Sequence, residues 1–96
     1  MDHRFLIHEP GDSVGIAVAD IKRGEKATGI FLHDHSLIVT LTARQNIPLG
    51  HKIALAAVAA KGHVLKYGVV IGAAITAIAP GDHVHVHNLK SGRWAK

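Results

Sequence analysis

The sequence predicts a compact, mainly β domain, and three features support this prediction. The chain has 96 residues, which suits a single domain. Apolar residues make up 48% of it but aromatic residues only 4%, so Val, Ile, Leu and Ala must build the core, which favours strands. A glycine-containing turn also recurs between apolar runs. We therefore expect one domain over 1–96, with a core over about 5–88 and a basic tail over 89–96.

The recurring turn reads apolar, two residues, Gly, two residues, apolar. Residues 21–27, 47–53 and 78–84 fit this pattern, and residues 59–64 form a copy that is one position shorter. Each copy predicts a tight turn, with Gly at a positive φ, followed by a new strand. The irregular spacing argues against a solenoid of repeats.

Four strands are predicted in the first half of the chain, and each is a short apolar run near a turn signal. Segment 5–8 precedes a Pro-Gly pair, and segment 14–19 follows the turn that this pair predicts. Segment 27–32 follows the first glycine turn, and segment 37–42 is dense in β-branched residues.

Four more strands are predicted in the second half, over 52–55, 64–66, 70–74 and 83–87. The last of these alternates His with Val, which is the period of a strand. Residues 53–60 are rich in Ala, a strong helix former, so we expect the strand there to enter one short helical turn.

Composition excludes several classes of protein. The chain has no cysteine, so it has neither a disulfide framework nor a thiolate metal site, and a cytoplasmic location is expected. Residues 1–5 lack the layout of a signal peptide, and the apolar run 69–79 is too short for a membrane span of about 20 residues. The short apolar run therefore argues against a membrane as a partner. The formal charge is +4, but no aromatic residues interleave with the basic ones, so we do not expect nucleic acid as a partner either.

The alternating segment near the C-terminus places His83, His85 and His87 on one face of the predicted strand, with Val84 and Val86 facing the core. Alternate residues on a strand lie roughly 6.6 Å apart, so at most two of these imidazoles can share one ion. We expect His83 and His85 to be that metal-binding pair. A polar strand face in contact with solvent is the alternative.

Gly50-His51-Lys52 presents an imidazole and an ammonium group just after a turn. Such a pair can bind a carboxylate, sulfonate or hydroxyl of a small acid, and an exposed polar turn is the alternative. Lys66 offers a second cation for a dianionic substrate. The neighbouring Tyr67 either donates a hydrogen bond or packs with its hydroxyl near solvent.

Three further sites have open alternatives. Asn88 either contacts the histidine face or a substrate hydroxyl, or it forms a turn. Arg93 and Trp94 have the composition of a protein contact, and packing on their own domain is the alternative. Asp12 and Ser13 are expected to form a turn.

Three ordered blocks resemble one family: residues 47–55, residues 66–68 with 71–72, and residues 83–89. They are similar to the SAF-type domain of the altronate/galactarate dehydratase family, and the resemblance runs from about Phe5 to Trp94. It implies a compact β-clip fold like that of type III antifreeze protein. In this family the domain is fused to the N-terminus of sugar-acid dehydratases or occurs as a free small subunit.

Segments 8–15 and 90–94 are similar to the free small subunits of the sulfolactate sulfo-lyases, whereas the sugar-acid dehydratases continue into a large second domain. The resemblance therefore implies the small subunit of a two-component lyase that eliminates sulfite from (2R)-3-sulfolactate to give pyruvate. The alternatives are the small subunit of a sugar-acid dehydratase, a non-catalytic SAF binding module and a purely structural subunit.

The resemblance also implies partners and roles. It implies a large catalytic subunit in a higher hetero-oligomer, a small anionic hydroxy acid as substrate, and a divalent metal, iron in particular, bound mainly by the large subunit. This small subunit is expected to be inactive alone. The expected catalytic residues are His51 and Lys52, the substrate-binding residues Lys66, Tyr67, His85, His87 and Asn88, the metal ligands His83 and His85, and the interface residues Arg93 and Trp94.

Overall fold

The computed structural model describes residues 3–91 and confirms a mainly β fold over them. In chain order the strands are β1 Phe5–Ile7, β2 Val14–Ala17, β3 Lys26–Phe31, β4 Asp34–Thr42, β5 Lys52–Ala54, β6 His63–Lys66, β7 Val69–Ala74, β8 His83–Val84 and β9 Leu89–Ser91. They form a six-stranded sheet in the order β4-β3-β1-β2-β5-β8 and a three-stranded sheet in the order β6-β7-β9. Neighbouring strands are antiparallel except β1 and β3, which are parallel.

The predicted glycine turn is present at residues 22–25, 48–51 and 79–82. Its third residue is Gly24, Gly50 or Gly81, with φ of 85°, 87° and 90°. In each turn the N–H of the fourth residue donates to the carbonyl of the first, at 2.9, 2.9 and 3.0 Å. A positive φ at the third position is typical of type II turns, and it favours Gly because a Cβ there is strained.

The copy near residue 60 differs from its prediction. Lys61, not Gly62, takes the left-handed position, with φ of 69°. Gly62 is the fourth residue, and its N–H donates to the carbonyl of Ala59 at 2.7 Å. The expectation of a shorter copy was therefore wrong, because the turn has full length and its leading apolar residue is Val58.

The same turn also occurs at residues 9–12, where the pattern did not predict a copy because His8 stands in the apolar leading position. Gly11 has a φ of 90°, and the N–H of Asp12 donates to the carbonyl of Glu9 at 3.1 Å. Asp12 and Ser13 thus lie in or beside a turn, as expected.

Each turn leads into a buried residue of the next strand, two positions after the turn ends. These buried side chains fall into two clusters, one under the six-stranded sheet around Phe5 and one toward the three-stranded sheet around Val64. The residues that follow the turns are Val14, Ala27, Ile53, Val64 and Val84, each no more than 2% exposed. The turn chemistry therefore sets which residues enter the core.

Asp12 and Ser13 connect the two sheets. The Asp12 carboxylate is only 6% exposed and accepts hydrogen bonds from the N–H groups of Tyr67 and Gly68, both at 2.9 Å. Ser13 donates its N–H to the carbonyl of Leu65, and its Oγ accepts from the Leu65 N–H, both at 2.9 Å. These contacts fix the β6–β7 hairpin, which carries Lys66, against the larger sheet.

The helical turn that we expected within 53–60 was wrong, since no helix occurs among residues 3–91. The chain bends after β5, and Val58 and Ile78 exchange backbone hydrogen bonds of 2.9 and 2.8 Å. Because Val58 packs on the second core cluster, this long-range pairing outweighs the helix propensity of the neighbouring alanines. The described part of the chain accordingly offers no helix that could cross a membrane.

The ordered strands also extend past the predicted core boundary at residue 88. β9 pairs with β7 in the register Gly72↔Ser91 and Ala74↔Leu89, so the start of the predicted tail belongs to the smaller sheet. Residues 92–96, including Arg93 and Trp94, lie outside the described residues.

Replacing Asp12 tests the connection between the sheets. Asp12→Ala removes the acceptor for three backbone N–H groups, those of Glu9, Tyr67 and Gly68. We expect it to lower the free energy of unfolding by about 3 kcal/mol, measured by urea denaturation. The control Lys26→Ala, at an exposed position of β3, should leave this free energy nearly unchanged. A loss below about 1 kcal/mol for Asp12→Ala would contradict the structural role.

Candidate functional site

The candidate site lies where β5 begins beside the end of β8. These two strands are antiparallel, with Lys52 opposite Val84 and Ile53 opposite His83. His51 is the last residue of turn 48–51, and the same register brings it next to His85. The glycine turn therefore delivers His51 to residues that lie more than thirty positions further along the chain.

Four imidazoles are grouped at this place. The Nδ1 atom of His51 lies 2.8 Å from Nε2 of His83. The ring of His51 stacks on that of His85, with centroids 4.0 Å apart and planes 18° apart. One nitrogen from each of these three rings lies within 4.8 Å of the others. His87 is more peripheral, with its ring centroid 5.2 Å from that of His83.

The predicted strand over 83–87 was wrong beyond Val84, because the chain turns there. Asn88 causes this turn: its Oδ1 accepts from the N–H of His85 at 2.9 Å, and its Nδ2 donates to the carbonyl of His83 at 2.8 Å. Val86 is consequently 77% exposed rather than part of the core. The turn, and not strand alternation, brings the His83 and His85 rings to one place.

The surroundings favour neutral imidazoles at this site. Partial burial is the largest cause that lowers the pKa of His83, and the nearby imidazoles of His51, His87 and His85 lower it further. Desolvation also lowers the pKa of His85, followed by His51, Lys52 and His87. Both rings are thus mainly uncharged at neutral pH, with a lone pair available to accept a proton or bind a metal.

A groove of ≈ 380 Å³ borders the imidazoles, and two lysines line it together with His85. Lys52 reaches it from the larger sheet and Lys66 from the smaller one. Burial, and next the charge of Lys66, lower the pKa of Lys52. Within residues 3–91 neither lysine forms a salt bridge. The groove is therefore electropositive, and an anionic ligand would relieve the repulsion between its cations.

Tyr67 lies at the other side of Lys66. Its ring contacts that of His8, with centroids 3.4 Å apart and planes tilted by 47°, and the Lys66 ammonium lies 4.2 Å from the Tyr67 centroid. The side chain is half exposed, and its φ of 59° is the left-handed conformation of a hairpin turn. Tyr67 packs against Lys66 and does not line the groove.

The structure brings together only some of the site residues that the sequence predicted. The structure brings together His51, Lys52, Lys66 and His85, which all surround one groove or cluster. It assigns the amide of Asn88 to the turn. Roles in catalysis and substrate binding remain predictions for all of these residues.

Sequence reasoning missed the contact of His51 with His83, because strand order cannot be read from local patterns. The only available signal was that His51 ends one copy of the recurring turn and His83 directly follows another. It also missed a second group, His8, Glu9 and His33, which is more exposed and has no characteristic spacing.

Asn88→Ala tests how the cluster is held in place. The change removes two hydrogen bonds of a buried amide, so we expect the unfolding free energy to fall by about 2 kcal/mol. The imidazole NMR signals of His83 and His85 should shift. Asn46→Ala is the control. It also removes an amide that bonds to the backbone, but the amide oxygen of Asn46 accepts an exposed hydrogen bond from the N–H of Arg23, which is not one of the clustered histidines. Equal imidazole shifts in both variants would argue against the role of Asn88.

Comparison with known proteins agrees with the resemblance seen in the sequence. Residues 3–92 match the family described as the altronate/galactarate dehydratase SAF domain. The chain is 37% identical over 91 residues to the (2R)-sulfolactate sulfo-lyase subunit alpha of Chromohalobacter salexigens, which covers 94% of this chain and 96% of that subunit. It is 48% identical over 54 residues to the same subunit of Paracoccus pantotrophus, covering 56% of this chain and 81% of that subunit.

A longer relative matches as well. The chain is 40% identical over 80 residues to the altronate dehydratase of Escherichia coli, covering 83% of this chain but only 15% of that enzyme. The matched region of each relative thus corresponds to this one domain. The chain belongs to the altronate/galactarate dehydratase SAF domain family, in which these relatives are subunits or parts of lyases.

Proposed function

We propose that this chain is the small subunit of a two-component lyase that eliminates sulfite from (2R)-3-sulfolactate to give pyruvate. The observation that carries the proposal is the groove in which Lys52 and Lys66 lie without a salt bridge among the described residues. Sulfolactate has a carboxylate and a sulfonate, so its two negative charges match the two ammonium groups. The nearly full-length similarity to a sulfolactate sulfo-lyase subunit alpha supports the same substrate.

The reaction is an elimination. The proton on C2 is removed, the C3–S bond breaks with its electron pair leaving on sulfite, and the resulting enol tautomerises to pyruvate. A cation beside the carboxylate stabilises the enolate-like charge that develops as the proton leaves. We assign this role to Lys52, and we assign binding of the sulfonate to Lys66. In this arrangement the imidazoles of His51, His85 and His87 face the substrate hydroxyl.

The proposal includes a large partner subunit. Among residues 3–91 no carboxylate lines the groove, and we assign its one imidazole, that of His85, to the substrate hydroxyl, so the general base for the C2 proton is left to the partner. We expect the large subunit to supply that base, to hold mainly the divalent metal that the resemblance implies, iron in particular, and to contact Arg93 and Trp94. The isolated chain should therefore be inactive, and the complex would act in the cytoplasm.

The direct experiment is to purify the chain alone and co-expressed with the large subunit from its own source. Each preparation is incubated with (2R)-sulfolactate, altronate and galactarate, and sulfite and 2-keto acids are measured. Release of sulfite by the pair alone is the expected result. Turnover by the chain alone would contradict a shared active site, and ligand binding without turnover in any combination would favour a binding module.

A sugar-acid dehydratase subunit is the second candidate, because the chain is 40% identical to part of an altronate dehydratase. The same elimination would then release water instead of sulfite. Formation of a 2-keto acid from a sugar acid, without sulfite from sulfolactate, would select this alternative.

Charge removal in the groove should weaken turnover by the pair of subunits. We expect Lys66→Gln to raise KM and Lys52→Gln to lower kcat, each by about 30-fold, because each change removes a charge-assisted contact to the substrate. Lys26→Gln, on the exposed face of β3, is the matched control and should leave both constants unchanged. If all three variants lost activity to a similar extent, the loss would come from the change in overall charge and not from removal of a cation in the groove.

A further inference from the structure

The imidazole cluster has a geometry that the proposed reaction does not by itself require. His51 ends one turn, His83 lies in β8 and His85 lies in the turn that follows it, and one nitrogen from each lies within 4.8 Å of the others. We propose that these three histidines bind a divalent first-row transition-metal ion, so that this chain holds a metal site of its own. This assignment adds His51 to the pair expected from the sequence. In this assignment His51 acts as a metal ligand beside the substrate hydroxyl.

The distances need only small adjustments to hold an ion. Two nitrogens bound to one tetrahedral ion at 2.0–2.1 Å lie roughly 3.3 Å apart. The His51 Nδ1 and His83 Nε2 atoms, at 2.8 Å, must separate by about half an ångström. The His85 ring is stacked on that of His51, with centroids 4.0 Å apart and planes 18° apart, so its side chain must rotate to point a nitrogen at the same ion.

The backbone around the ligands is fixed before any ion binds. The carbonyl of His51 accepts from the N–H of Ala17 at 2.8 Å, and the N–H of His51 donates to the carbonyl of Pro48 at 2.9 Å. The N–H of His83 donates to Oε1 of Gln45 at 2.7 Å. The Asn88 turn holds the remaining ligand in place. Such supporting contacts orient the ligands, as in known metal sites.

The chemistry of the donors indicates the class of ion. Three imidazole ligands suit Zn²⁺, Fe²⁺, Co²⁺ or Ni²⁺, and the absence of a carboxylate from this group of three makes Mg²⁺ or Ca²⁺ poor matches. Three protein ligands also leave a coordination position open, as in catalytic sites. When bound, the ion would supply a Lewis acid beside the groove that Lys52 and Lys66 line.

The second group of candidate ligands makes a useful comparison. His8, Glu9 and His33 also approach one another, but the side chains of His33 and Glu9 are 71% and 45% exposed. Their closest approach is 3.8 Å between the His33 Nε2 and Glu9 Oε2 atoms. Side chains this exposed are not held for an ion, so we expect no tight binding there.

The test uses the untagged 96-residue chain with Co²⁺ alone, and binding is followed by visible absorption. We expect saturable binding of one equivalent, with the intense d–d bands of a tetrahedral site, and displacement of Co²⁺ by Zn²⁺. His51→Ala, His83→Ala and His85→Ala should each weaken binding at least about tenfold. The control His33→Ala should bind as the unchanged chain does. Unfolding midpoints without metal establish that each variant is folded.

A second measurement does not depend on variants. Addition of Zn²⁺ to the ¹⁵N-labelled chain should shift the ring nitrogens of His51, His83 and His85 and leave those of His8 and His33 in place. Absence of saturable binding, binding that survives His51→Ala undiminished, or Zn²⁺ shifts confined to His8 and His33 would each overturn the assignment. Metal binding is measured on the free chain without substrate or partner. Its result is therefore independent of the sulfo-lyase proposal, which is tested by sulfite release from the pair of subunits.

Discussion

The constraint on which the structure depends is the left-handed residue at the third position of a recurring tight turn. Gly11, Gly24, Gly50 and Gly81 adopt it with φ between 85° and 90°, and Lys61 adopts it without being glycine. In each case the chain reverses direction, and the residue two positions after the turn is a buried residue of the next strand. A domain with few aromatic side chains thus builds its two small cores by repeating one local turn geometry, rather than by packing around a few large aromatic side chains.

The same turns also position the chemistry. His51 is the last residue of one turn, His83 follows another directly, and the pairing of β5 with β8 brings the two together. Asp12, the last residue of a third turn, holds the hairpin that carries Lys66 against the larger sheet. The imidazoles and lysines are therefore supported by main-chain hydrogen bonds close to each of them, although every one of these side chains lies partly in contact with solvent.

Much of the fold could be predicted from the sequence because the turn signals are local. Gly and Pro mark the reversals, and the apolar runs between them form the strands. The errors arose where a distant or side-chain contact decided the conformation. Asn88 bonds the backbone of His85 and ends the last predicted strand, and Val58 pairs with Ile78 where alanine content favoured a helix. The candidate site was predicted as separate blocks, because the contact between His51 and His83 depends on strand order.

The separation of His51 from His83 by 32 positions has a consequence for folding. The two rings meet only when β5 has paired with β8, because the register of that pair places His51 beside the end of β8. Closing the loop between the two strands costs conformational entropy, so this contact forms more slowly than a local one. The stacking of these imidazoles is thus a spectroscopic reporter that β5 and β8 have reached their native register.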